Sequence, residues 1–232
     1  AGVRSQLRSS DQTLLCAAAR VLALREDKTA GNALAVLLDD TNAPVRRAAA
    51  EALAVCGSRL LAPRLLAALV NAGDDFEQHA CITALLAVAD EPFVRSLLTN
   101  NSPRVRRAAL HLLDQPPFTA LRFNDLIAPL GDDDAGLNSA ARRLLERHRN
   151  WARDALPWLR SQTVVQTADP GKASALVSLF VAFQADAAVR NLISELLDPA
   201  NGAPNTARAF LLNLLPSLTA RRPEASWLRA IQ

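Results

Sequence analysis

Asp39-Asp40-Thr41-Asn42-Ala43-Pro44-Val45-Arg46-Arg47-Ala48-Ala49 reads as the end of one helix, a turn, and the start of another. Acidic and turn-forming residues stop the first helix, Pro44 stands where an opening helical turn tolerates proline, and an alanine-rich run follows. Steps of four, seven and eight residues beyond Val45 land on Ala49, Ala52 and Leu53, the spacing of one helical face.

The same steps taken from Leu14, Glu77, Val105, Leu137, Ala173 and Ala207 again meet apolar residues. They reach Ala18, Val21 and Leu22 from the first of these, Cys81, Ala84 and Leu85 from the second, and Val177, Phe180 and Val181 from Ala173. The anchors recur every 28 to 36 residues, the span of two short helices and their turns. The fold class that follows is all-α: an α-solenoid of about seven helical hairpins, each burying its stripe against its neighbours. Residues 1–150 carry the regular copies, and residues 151–232 continue with more divergent ones, cut short at the C-terminus.

Second helices are expected over residues 11–26 and 75–89, and first helices over 32–38 and 60–71. A further second helix follows Pro103 and ends at Pro116-Pro117, and a hairpin spans 123–149 around the turn Gly131-Asp132-Asp133-Asp134. Later helices are expected over 151–160, 172–184, 186–197, 205–215 and 224–232, with turn-rich breaks at 169–171 and 199–204. The string Asp186-Ala187-Ala188-Val189-Arg190 repeats the opening signature out of phase with its neighbours and is read as a decoy, the first helix of its unit.

Half of the 232 residues are apolar, yet the aromatics are only three Trp and seven Phe. Ala and Leu therefore do the packing, which favours close helix stacking over a roomy ligand cavity. A formal charge of +3 and a pI near 9.1 fall short of the concentrated excess of a dedicated nucleic-acid binder. Cys16, Cys56 and Cys81 show neither disulfide nor zinc spacing, and the last two read as small buried hydrophobes. No apolar run approaches the ~18 residues that span a bilayer, and no signal peptide opens the chain. The chain lacks methionine and stops inside an apparent helix, so it reads as a segment of something longer. Its compartment is open, and a monomer is expected.

The strings at 40–49 and, with Asn100 replacing the acid, at 100–109 resemble HEAT repeats. That resemblance covers most of residues 11–216 and implies a right-handed superhelix whose second helices line a concave face. HEAT arrays serve scaffolds, transport factors, lyases and DNA-repair proteins, so the resemblance implies a fold rather than an activity. A narrower likeness joins residues 102–110, Arg147-His148-Arg149-Asn150-Trp151 and Arg222-Pro223-Glu224-Ala225-Ser226-Trp227. These resemble the HEAT section of large exported planctomycete-type proteins, which have a flanking sugar-dehydrogenase-like propeller and a cytochrome c domain. Such a parent would be periplasmic or exported, whereas another would be cytoplasmic. Since no Cys-x-x-Cys-His motif occurs here, any redox chemistry would lie outside these residues.

Arg46-Arg47 and Arg106-Arg107 stand at helix starts, where the macrodipole disfavours cations by roughly 0.3–1 kcal/mol each, so acids should lie nearby. Asp39, Asp40, Asp74 and Asp75 occupy the preceding turns. An inter-repeat ladder of these acids with Arg46 and Arg106 is expected, with Asp74 or Asp75 paired to Arg106. The alternative use of the arginines, with Arg142, Arg143 and Arg147, is a strip for phosphate. Interleaved acids and the lack of exposed aromatics speak against nucleic acid.

His79, His111 and His148 lack metal-ligand spacing, and His148 reads as an interior histidine beside Trp151. Asp132-Asp133-Asp134 lacks the downstream residues of a calcium loop, and Trp151 and Trp158 read as core. The expected function is therefore a non-enzymatic scaffold with no cofactor, metal or catalytic residue. Its partners would be a protein or other domains of the parent chain. Arg47, Glu51, His79, Arg107, His111 and Arg143, at surface positions of the second helices, are the expected partner surface.

Overall fold

The computed structural model describes residues 2–165, 170–218 and Trp227, and no strand occurs among them. The chain divides into two compact units, Ala1–Ala120 and Leu121–Gln232. The division falls inside the stretch 1–150 that periodicity treats as uniform.

In the first unit, α1 (Gly2–Ser5) precedes α2 (Gln12–Leu24), followed by three hairpins: α3 (Gly31–Val36) with α4 (Ala43–Cys56), α5 (Ala62–Asn71) with α6 (Asp75–Val88), and α7 (Glu91–Ser96) with α8 (Pro103–Asp114). Short polar residues set the helix starts. The side chains of Asp11, Asn42, Asp74 and Asp90 accept backbone N–H groups of their own first turns, each such cap stabilising by about 1 kcal/mol. Pro44 and Pro103 stand in opening turns, where no amide partner is lost. Second helices stack on second helices, α2 on α4, α4 on α6 and α6 on α8. Ala48, Ala49 and Ala52 of α4 and Ala80 and Ala84 of α6 are all buried, and their short side chains let the backbones approach. Of the stripe in this unit, Leu14 is 38% exposed, whereas Val45, Leu53, Leu85, Val105 and Leu113 are core.

Cys56 and Cys81 lie in that core, and Cys16 is half-buried. Burial pushes the Cys81 thiol up to about 12, with Glu77 adding to the rise and Arg46 opposing it. Burial also raises the Cys56 thiol. Since the thiolate is the nucleophile, iodoacetamide near pH 8 is expected to alkylate Cys16 and to spare Cys56 and Cys81 until this unit unfolds. Mass spectrometry of timed samples reads the order, and early alkylation of Cys81 would contradict the packing.

The second unit contains α9 (Asn124–Leu130), α10 (Ala135–Arg147), α11 (Ala152–Val165), α12 (Pro170–Phe183), α13 (Ala187–Leu197) and α14 (Asn205–Leu214). α9 and α10 form another hairpin, and Asp134 caps α10 by accepting Leu137 N–H at 2.7 Å. The stacking rule then changes. α12 packs on α9 and α11 more than on α10, and α13 packs on α11 and α14. The stripe assigned from Ala173 is largely out of register: of its residues Phe180 is buried, but Val177 is 36% exposed and Ala173 and Val181 are half-buried, while Leu176 and Leu179 join the core, a face displaced by one residue.

The decoy is instead the true copy. Asp186 caps α13, and Val189, Ile193, Leu196 and Leu197, at the template's four, seven and eight steps, are all core. Arg160 and Glu195 join α11 to α13 through two 2.6 Å hydrogen bonds, an exposed pair worth under about 1 kcal/mol. Trp227, part of the narrower likeness, is buried and donates its indole N–H to Ser194 Oγ at 3.0 Å. The break at 169–171 lies partly, and the helix expected over 224–232 almost wholly, outside the described residues.

Candidate interaction surface on the second helices

The arginines that open the second helices resolve into two uses. Arg46, Arg106 and Arg190, each four residues past its cap, turn back over the preceding turn. Arg46 Nη1 donates to the carbonyls of Asp40 at 2.9 Å and Thr41 at 3.1 Å, and Arg106 Nη1 to those of Asn100 at 2.9 Å and Asn101 at 3.3 Å. Arg190 Nη1 reaches Ala185 O at 2.5 Å. The cation is used as a clasp on carbonyls outside the helix, which offsets its unfavourable place in the helix dipole.

An inter-repeat ladder exists in the first unit, but with other rungs than the expected ones. Glu77 is 2% exposed, at an otherwise apolar stripe position, and accepts Arg46 Nε at 2.5 Å, Arg46 Nη2 at 2.9 Å and Gly73 N–H at 3.1 Å. The Arg46 guanidinium, with the Gly73 amide, holds this carboxylate below its usual range against the opposing effect of burial. Asp39 pairs with Arg64 of α5 at 2.7 Å, Asp40 accepts Asn42 N–H, and Arg59 meets Asp90. The pairing of Asp74 or Asp75 with Arg106 does not form. Asp74 is committed as the cap of α6, and Asp75 enters no ion pair among the described residues. The buried partner sits one helical turn further along, where the carboxylate rather than the turn faces the neighbouring helix.

The expected partner residues come from two rows on the outer face. Two residues past the anchors Leu14, Val45, Glu77 and Val105 stand Cys16, Arg47, His79 and Arg107, and six past stand Arg20, Glu51, Thr83 and His111. Arg47, Glu51 and His79 converge with Phe76, Ala80 and Thr83 around a groove of about 440 Å³ between α4 and α6. Arg47 Nε lies 3.1 Å from Glu51 Oε1, and its guanidinium carbon is 5.8 Å from the centre of the Phe76 ring. An arginine over an aromatic face gains roughly 0.5–1 kcal/mol at an exposed site. Phe76 is 72% exposed, and sequence reading missed it. The available signal was an aromatic one residue before the anchor, where other copies carry Thr13, Pro44 and Arg104.

Arg107 is half-buried and donates to Gln78 Oε1 at 3.4 Å, which ties α8 to α6. His111 is half-buried one turn further along α8. Arg143 belongs to the second unit, where it is exposed and donates to Ser139 Oγ at 2.6 Å. His148 and Trp151 stack with ring centres 4.1 Å apart and planes within 7°, both half-buried rather than interior. Trp158 is likewise half-buried. Among the described residues no group of His, Cys, Asp and Glu is arranged to hold a metal ion, and no helix is long and apolar enough to cross a membrane.

Residues 1–86 match the family model described as HEAT repeats, the stretch containing α2, α3, α4, α5 and most of α6. No curated protein matches the chain.

Proposed function

We propose, for a chain whose residues 1–86 belong to the HEAT-repeat superfamily, a non-enzymatic interaction module that receives a protein partner on the second-helix face of its first unit. The observation that carries this reading is the groove between α4 and α6. It gathers a phenyl ring left 72% in water, a guanidinium over that ring, a carboxylate and an imidazole from two successive repeats. Aromatic residues and arginine are the side chains enriched at protein interfaces and their hot spots. The buried stripe fixes where these side chains stand, while the outward rows vary from repeat to repeat and can suit a partner.

A photo-crosslinking residue tests the reading when placed in turn at Thr83, in the groove, and at Val36, exposed on first helix α3. In cells expressing the chain, an adduct from Thr83 and none from Val36 is expected. An adduct from Val36 alone, from both, or from neither overturns it.

A further inference from the structure

We infer that the occupant of the α4–α6 groove is an acidic peptide segment that places an apolar or aromatic side chain against Phe76. The inference rests on the second-helix face being the interface and adds the chemistry of what binds there.

Charge on this face is far from the near-balance of the whole chain. The two outward rows of the first unit carry Arg20, Arg47 and Arg107 against Glu51, with the imidazoles of His79 and His111 beside them. Glu51 is engaged with Arg47, whereas Arg20 and Arg107 form no ion pair among the described residues. These cations come from α2, α4 and α8, so each stacked second helix but α6 adds one, and α6 supplies Phe76 and His79 between them. The result is an apolar contact flanked by separated positive charges. Carboxylates spaced along an extended peptide match such points, and arginine can take each as a paired hydrogen-bond acceptor.

A continuous phosphate backbone matches the same surface less well. Glu51 lies inside the groove and Asp75 is exposed next to Phe76 in sequence, so negative charges interrupt the strip where a nucleic-acid strand would run. A single ring also gives no platform for successive stacked bases. A peptide can set a neutral or basic residue opposite Glu51, which a phosphate chain cannot do.

The test is selection of a phage-displayed library of random peptides on the full 232-residue chain, followed by fluorescence anisotropy of the selected peptides on the chain and two variants. Selected peptides are expected to be rich in Asp and Glu around one apolar or aromatic residue and to bind more weakly as salt rises. Affinity is expected to fall about tenfold in Phe76→Ala and by a similar factor in Arg107→Glu, while circular dichroism of both variants is unchanged. A labelled single-stranded oligonucleotide is measured in parallel.

Neutral or basic winners, winners indifferent to both variants, or tighter binding of the oligonucleotide overturn the acidic-peptide inference. The crosslink from Thr83 separates the two levels. A captured partner whose contacting segment is not acidic removes this inference and leaves the interaction face standing, whereas no capture at Thr83 removes both.

Discussion

Arg46→Ala is expected to lower the stability of the first unit by about 3 kcal/mol, because it strands a carboxylate that the fold has taken out of water. Glu77 has 3% of its side chain exposed, and Arg46 supplies two of its three hydrogen bonds. The remaining amide of Gly73 cannot satisfy an ionised group. The Arg46 side chain is itself 21% exposed, which puts the cost at the lower end of what broken buried pairs show. Replacing both partners, Arg46→Ala with Glu77→Leu, restores the apolar stripe found in the other repeats and should recover most of the loss. The pH dependence has a definite sign. Since the folded Glu77 value lies below the usual 4.5, its contribution is complete above that value and fades as pH falls through the lower, folded one. Alkylation of Cys81, four residues along the same helix, reports opening of this unit in urea. A loss below about 1 kcal/mol in Arg46→Ala would show that the pair is a surface contact.

The regular part of the fold was legible because its periodicity and its punctuation agree. At α4 the apolar stripe, the cap Asn42 and the proline at the helix start all give one answer, and the structure returns it. At α12 they do not. Ala175, Leu176, Val177, Leu179, Phe180, Val181 and Phe183 make that helix apolar nearly all round, so spacing alone cannot choose which residues face the core. The template accepted Ala173 and lost the phase. The better guide stood at α13, where a capping Asp186, a Val three residues on and an Arg one further reproduce the opening of α4. Caps and clasps are chemically specific, whereas an apolar step of four or seven residues is met by chance in a chain that is half apolar.

Glu77 and Phe76 show the same limit from the other side. Both break the pattern of their positions: Glu77 is a charge in the oily stripe, held by Arg46, and Phe76 is an exposed ring beneath the Arg47 guanidinium where other copies carry Thr13, Pro44 and Arg104. A template built to find what repeats treats such residues as noise. Arg47, Glu51 and His79 were reachable because outward positions on neighbouring second helices follow from the stripe itself. Their meeting around Phe76 required coordinates, since side-chain direction across a repeat boundary is not a property of sequence spacing.

Gly131→Ala is the second large effect, about 3 kcal/mol of stability in the unit Leu121–Gln232. Gly131 closes α9 with φ −104°, which any residue adopts, so its reason is space rather than backbone freedom. A Cβ there would lie 2.2 Å from the carbonyl oxygen of Gly171 and 2.8 Å from its Cα, at the start of α12. Both obstacles are backbone, so no rotamer change relieves them, and α12 would have to lift off the α9–α10 turn it packs on. Gly202 is the control. Its φ of +68° costs an alanine about 1 kcal/mol, but a Cβ there meets nothing within 4 Å. Trp151, Trp158 and Trp227 all belong to this unit, so tryptophan fluorescence during urea unfolding reads it directly. A Gly131→Ala loss no larger than that of Gly202→Ala would mean that α12 does not depend on the close passage of Gly171 over Gly131.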